Sequence, residues 1–229
     1  GARITFDQVA SLGGTVMVLT AGAVVLTILC GIALARLTGL RRDFGVLTGG
    51  SVAICGASAA LAIASVLPRG PEHERDTIMT VVAVTTLSTI AMVLYPLLAA
   101  AVGFDEHTTG IFLGATIHDV AQVVGAGYSV STDAGDTATI VKLFRVALLL
   151  PVVLVISFLL QRSGDAAAAS GESRPPLLPA FLVGFAALVV VNSLGWLPVA
   201  VETGLQGASR WCLVLAIATL GTKTSLGDL

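Results

Sequence analysis

Charge is what this chain has least of. Asp, Glu, Lys and Arg make up 11% of its 229 residues, against about 25% in an average soluble domain. Mean hydropathy is +0.96, so there is too little polar surface to coat a water-soluble globule, and the chain belongs in a bilayer. Other absences narrow the class. No run of about ten residues alternates apolar and polar, which excludes a membrane β-barrel. No GxxxxGK[ST] loop occurs, which excludes ATP-driven transport by this chain. The first apolar segment is long and lacks a charged n-region and a clear cleavage site, so it does not read as a signal peptide. Cysteine numbers three. Cys30, Cys55 and Cys212 all fall in apolar segments without metal-ligand spacing, so they read as packing residues. No metal, no cofactor and no nucleic-acid partner is expected.

What is present is a series of long apolar runs. Uncharged stretches able to cross about 30 Å of hydrocarbon as helices run from Gln8 to Ala35, Gly45 to Pro68, Thr77 to Phe104 and Pro175 to Val201. Three more are interrupted: Thr108 to Gly127 carries His118 and Asp119, Ala138 to Leu160 carries Lys142 and Arg145, and Trp211 to Thr222 is short. The expectation is an all-α, multi-pass bundle of about seven crossings or partial crossings, forming a single domain over residues 1–229. The stretch 163–176, rich in Ala, Gly and Ser and closed by Pro175 and Pro176, reads as a mobile loop. Pro96 and Pro151 fall inside spans and should kink them. The densest basic loop, Arg36, Arg41 and Arg42, together with Arg162 and Arg174, is placed in the cytoplasm, Lys223 on the same side, and Arg69 and Arg75 outside.

Ionisable groups at bilayer depth are costly, so each is a functional candidate. Lys142 and Arg145 are three apart and share a helical face with Thr139. Two readings stand: the side chains snorkel to the headgroups, or they form the positive wall of an anion pathway, Arg offering a planar fork to an oxyanion. Gly56-Ala-Ser58 and Gly114-Ala-Thr116 are candidates for the other half of such a site. Small residues let backbones approach, and the hydroxyls of Ser58 and Thr116 can join free amides at an opened helix end. The alternative is plain helix packing, with Gly110 and Gly114 as a GxxxG pair. On a continuous helix His118 and Gln122 share a face while Asp119 points about 100° away. His118 and Asp119 then serve as a proton relay, or Asp119 as a counter-ion to Lys142 or Arg145, or the group is a structural ion pair.

Weak internal echoes accompany these residues. Ile54-Cys-Gly-Ala-Ser58 resembles Phe112-Leu-Gly-Ala-Thr116, and Arg3 to Val9 resembles Lys223 to Leu229. In a transporter built from inverted repeats such pairs mark equivalent positions, with substrate held between broken helices. The echo at the two ends also suggests a fragment of a longer chain.

Ala53-Ile-Cys-Gly-Ala-Ser58, Gly114-Ala-Thr-Ile-His-Asp-Val-Ala-Gln-Val-Val124, Thr139-Ile-Val-Lys-Leu-Phe-Arg145 and Leu220-Gly-Thr-Lys-Thr-Ser225, in this order, closely resemble the YeiH family of bacterial inner-membrane proteins. The resemblance covers essentially the whole chain. It implies a polytopic transporter of the kind labelled sulfate exporters, with further helices before Arg3 and after Leu229. It also implies a distant likeness to bile-acid and sodium/proton transporters with crossed discontinuous helices, which does not identify a substrate.

The resulting expectation is a multi-pass inner-membrane transporter or facilitator of a small anion, sulfate or a related sulfur oxyanion, exported by alternating access. Its partners are that anion and the lipid bilayer, with a homo-oligomer left open. A dianion leaving a negative interior moves downhill by about 2.3 kcal/mol per charge per 100 mV. The alternatives are proton- or sodium-coupled transport of another small organic anion and an intramembrane hydrolase using Cys55 or Ser58 with His118 and Asp119. Enzymatic activity is not expected.

Overall fold

In the computed structural model, residues 13–163 and scattered positions between 184 and 211 are described. They form an all-α membrane bundle. The expected span Pro175–Val201 is described only at scattered positions and Trp211–Thr222 only at Trp211, while the loop 163–176 beyond Ser163, Cys212, Lys223 and both terminal echoes lie outside the described residues. Eight helices occur among those that are described. They are α1 (Gly14–Leu37), α2 (Arg42–Ala53), α3 (Ala57–Ala64), α4 (His73–Val102), α5 (Glu106–Thr116), α6 (Val120–Val130), α7 (Thr132–Ala147) and α8 (Leu149–Ser163).

Among the described residues three stretches are long and apolar enough to cross a membrane: α1, α4, and α7 running into α8 over Thr132–Leu160. Helix α4 continues through Pro96. The α7–α8 junction falls at Leu148, three residues before Pro151, whose missing N–H leaves the Ala147 carbonyl without an intrahelical donor.

The run Gly45–Pro68 does not cross. It forms α2 and α3, about 18 and 12 Å long and each too short to span. Between them the chain turns back at Ile54–Gly56. Gly50 faces Ile63 across the pair, and a Cβ at Gly70 would lie 3.3 Å from Arg41 Nη1. Arg41, ahead of α2, pairs with Asp76 and, at 3.4 Å, with Glu72, at the start of α4. The two ends of this hairpin are therefore on one side, and Arg69 and Arg75 share a face with Arg41 and Arg42. This corrects the expected topology. An apolar run of this length reads the same whether it crosses or folds back.

Thr108–Gly127 folds the same way. Helix α5 runs beside α7: a Cβ at Gly110 would be 2.7 Å from Thr137 Cβ, and Gly114 packs on Ala138 and Val141. Helix α6 returns, so that Gly127 lies against Gly135 and Ala134 and Tyr128 bonds Asp136. Both mouths of this second hairpin are thus at the start of α7. The open end is dressed with helix caps. Asp105 accepts the Thr108 amide at 2.6 Å and Ser131 accepts that of Ala134 at 3.1 Å. The backbone and side-chain hydrogen bonds from Thr108 hold the exposed Asp105 carboxyl below its ordinary pKa. Tyr95 meets Phe112 in a tilted ring contact and Phe104 meets Phe112 edge-on, tying α4 to α5.

Helix α4, about 45 Å long, separates the two mouths. One hairpin therefore enters from the face where α4 begins and the other from the face where it ends. Each is preceded by a crossing helix, so α1–α2–α3 and α4–α5–α6 are arranged as inverted counterparts. The sequence echo does not follow this symmetry. Gly56-Ala-Ser58 opens α3 after its turn, whereas Gly114-Ala-Thr116 closes α5 before its own.

Membrane-sided labelling of single cysteines in a cysteine-free background tests the arrangement. Thr38→Cys and Pro71→Cys should react from the same side, and Glu106→Cys from the opposite one. Reaction of positions 38 and 71 from opposite sides would restore the crossing.

Candidate functional site

The two hairpin tips meet in the interior. A helix that stops leaves its last carbonyls without partners, and with them the negative end of its dipole. Here two helices, α2 and α5, stop inside the bundle. Gly56 allows the first turn-back: its φ of 70° and ψ of −120° suit glycine, and its amide bonds Ser51 O at 2.9 Å. A Cβ there would sit 3.4 Å from that of His118, in the other tip.

Lys142 and Arg145, on α7, fill the carbonyl cluster between the tips. Lys142 is fully buried and Arg145 is 5% exposed, so neither snorkels. Lys142 Nζ donates to Ile54 O at 2.6 Å and to Ile117 O at 3.0 Å, one carbonyl from each tip. Arg145 Nε and Nη2 donate to Ala53 O at 3.0 and 2.5 Å. Its Nη2 also reaches Val52 O at 3.1 Å, and Nη1 reaches Ala115 O at 2.6 Å and Gly114 O at 3.4 Å. These bonds engage all of the guanidinium's donors, whereas Lys142 keeps one of its three. Lys142 lies ten residues into the 29-residue stretch Thr132–Leu160, about 15 Å along the helix and so within the apolar span.

The second tip carries its own side-chain network. Ile117 is extended and Asp119 is the N-cap of α6, so His118 and Asp119 lie in the turn and not on a helix. The expected shared helical face of His118 and Gln122 is therefore replaced by a link through α4. Asp119 Oδ1 accepts the amides of Ala121 at 2.8 Å and Gln122 at 3.2 Å. Ser88 Oγ accepts those of His118 at 3.2 Å and Asp119 at 3.1 Å and donates to Gln122 Oε1, while Gln122 Nε2 donates to Thr89 at 3.0 Å. Ser88 escaped the sequence reading. Its signal was the spacing Thr77, Thr80, Ser88, which repeats buried hydroxyls along one face of an apolar span.

The first tip is different. Helix α3 opens without any side-chain cap, so its first-turn amides are left to other partners. Ser58 on that turn is exposed. Thr116 spends its hydroxyl on Phe112 O at 2.5 Å, and Thr139 spends its own on Gly135 O at 2.7 Å. Two buried polar atoms, Thr80 Oγ1 and His118 Nδ1, carry no hydrogen bond. Asp119 makes no ion pair with Lys142 or Arg145 among the described residues. No described hydrogen bond joins Cys55 or Ser58 to His118, or His118 to Asp119. Gly110 and Gly114 act as packing residues between α5 and α7. A groove of about 690 Å³ lies elsewhere, between α1 and α8, with walls such as Val25, Leu29, Val152 and Leu159.

Short re-entrant hairpins meeting on buried cations, flanked by long apolar helices, define a polytopic α-helical membrane protein. The chain belongs to the family described as conserved hypothetical protein 698, whose model matches residues 1–229, in agreement with the resemblance read from its motifs. It is 55% identical over 226 residues to the UPF0324 membrane protein TauZ of Paracoccus denitrificans, covering 99% of this chain and 67% of that protein. It is 53% identical over 233 residues to the UPF0324 membrane protein CT0845 of Chlorobaculum tepidum, covering 100% of this chain and 63% of that one. A UPF0324 membrane protein of Caulobacter vibrioides is 40% identical over 224 residues, 97% of this chain and 47% of the relative. The chain therefore spans roughly two thirds or less of these relatives. No solved structure matches, and the expected likeness to bile-acid and sodium/proton transporters finds no support.

Arg145→Met should lower the unfolding midpoint strongly, by the equivalent of about 3–5 kcal/mol, because it strands carbonyls on both tips. Arg145→Lys, which lacks the fork, should recover less than half of that loss. Denaturant or thermal unfolding in detergent measures both, and an unchanged midpoint for Arg145→Met would remove the clamp.

Proposed function

We propose that the protein transports or facilitates the passage of a small anion, sulfate or a related sulfur oxyanion, by alternating access. The observation that carries the reading is the meeting of two half-helix hairpins, entering from opposite faces, at Lys142 within an apolar span. Non-helical backbone at membrane depth is tolerated only where protein or a water-lined path surrounds it, and discontinuous helices of this kind form substrate sites in transporters.

Charge favours an anion. Lys142 and Arg145 contribute two positive charges, the two helix C-ends about −0.5 each, the two N-ends about +0.5 each and Asp119 one negative charge, leaving an excess of about one positive charge. The uncapped start of α3 offers its amides, and Ser58 adds a hydroxyl. Lys142 supplies its remaining N–H and the charge, and Gly56 lets the backbone approach. Arg145 contributes field, since its donors are engaged. Thr116 contributes position, its hydroxyl being bonded within α5. His118 lines the junction beside Gly56, and its unbonded Nδ1, with Asp119 and Gln122 in the same network, gives a proton-coupled form of the same transport its specific support. The sulfur-oxyanion assignment rests on the motif resemblance alone.

Flux of labelled sulfate into proteoliposomes is the test. The wild type should exceed empty liposomes, and Ser58→Ala should reduce the rate about tenfold, the value of one hydrogen bond to a charged group, without changing the unfolding midpoint. Asp119→Asn keeps a capping oxygen but loses the charge, and should alter the pH dependence of flux. A folded wild type that moves neither sulfate nor sulfite would defeat the assignment.

A further inference from the structure

We propose that Lys142 is a tethered replacement for a bound inorganic cation, so that the protein needs neither sodium nor potassium, and that removing the side chain opens a site for a free monovalent cation. The argument starts from the carbonyls. Two helix C-ends brought together in a dry interior carry about −0.5 charge each, and something positive must sit between them. In transporters with broken helices, unwound carbonyls of this sort hold the coupling ion. Here the carbonyls of Ile54 and Ile117 converge on Lys142 Nζ at 2.6 and 3.0 Å. Those of Val52, Ala53, Gly114 and Ala115 are taken by Arg145. Six carbonyls of the two tips are thus bonded to side chains of α7. A cation on a covalent tether is present at an effective concentration that solution sodium does not match, so the position is never surrendered to it.

The geometry also dictates what the emptied site accepts. Lys142→Ala removes the three methylenes beyond Cβ together with the ammonium, a fragment equivalent to n-propylammonium. It leaves the Ile54 and Ile117 carbonyls facing the channel that the Lys142 stem vacates. Ammonium fits the carbonyl end alone, and n-propylammonium fits both the carbonyls and the channel. Describing the replaced cation as a coupling ion rests on the transport reading above. The cation site itself does not, and the two are read out separately.

The experiment is thermal unfolding of the purified full-length protein at constant ionic strength in the chlorides of choline, sodium, potassium, ammonium and n-propylammonium. The wild-type midpoint should be the same in all of them. Lys142→Ala should melt lower in choline and rise saturably in n-propylammonium, regaining about half or more of the lost midpoint as mass action at a filled site requires. Lys142→Met, whose stem fills the channel, should show no rise. If Lys142→Ala aggregates in choline, monodisperse protein on extraction in n-propylammonium supports the proposal and aggregation in both overturns it. A wild-type midpoint raised saturably by sodium over choline, or a Lys142→Ala midpoint indifferent to every cation, also overturns it. Sulfate flux by the wild type in sodium against choline is the parallel arm. Absence of flux there speaks against the transport reading and leaves the midpoints to judge the site.

Discussion

The fold depends on a single electrostatic exchange: the side chains of Lys142 and Arg145 take the place of water at the ends of two helices that stop inside the membrane. Neither partner is tolerable alone. A buried ammonium or guanidinium costs several kcal/mol, and so do orphaned carbonyls in a region without water. Placed together they satisfy one another through seven hydrogen bonds to six carbonyls. Because both side chains reach both tips, the exchange also fixes the two hairpins to each other and to α7.

The remaining architecture serves that junction. Glycines at Gly31 and Gly49 bring α1 against α2, where a Cβ on Gly31 would lie 2.6 Å from the Gly49 Cα, and Gly110 and Gly114 do the same for α5 and α7. Close backbones let short helices be held firmly without the length to cross. The two tips then diverge in chemistry. The second is filled from within, its amides taken by Asp119 and Ser88. The first has no capping side chain at the start of α3. An approximate symmetry of backbone thus carries an asymmetry of side chains.

Much of this was legible before any coordinates. Low charge and long apolar runs gave the class, and α1 and α4 lie close to where the runs placed them. The spacing of Lys142 and Arg145 put both on one helical face, where they are. Folding back was not legible, because Gly45–Pro68 has the length and apolarity of a crossing and nothing in its composition separates the two outcomes. The Arg41 contacts with Glu72 and Asp76 are long-range and decide it. The partners of the cations were hidden for a related reason: they are backbone carbonyls, which every residue carries. The apolar run around His118 and Asp119 is compatible with a continuous helix, but Asp followed by an apolar run is also an N-cap signature, and it is the N-cap that places the second turn.

The central claim is that one ammonium bridges the two tips. Lys142 and Lys223 are the only lysines in the chain, so solid-state NMR can address the bridge directly. Protein in lipid, labelled with 15N at lysine Nζ and 13C at isoleucine carbonyls, should give one lysine nitrogen dipolar-coupled to two isoleucine carbonyl carbons, a signal absent in Lys142→Met. A Lys142 nitrogen coupled to neither carbonyl, with the mobility of a solvated side chain, would contradict the account.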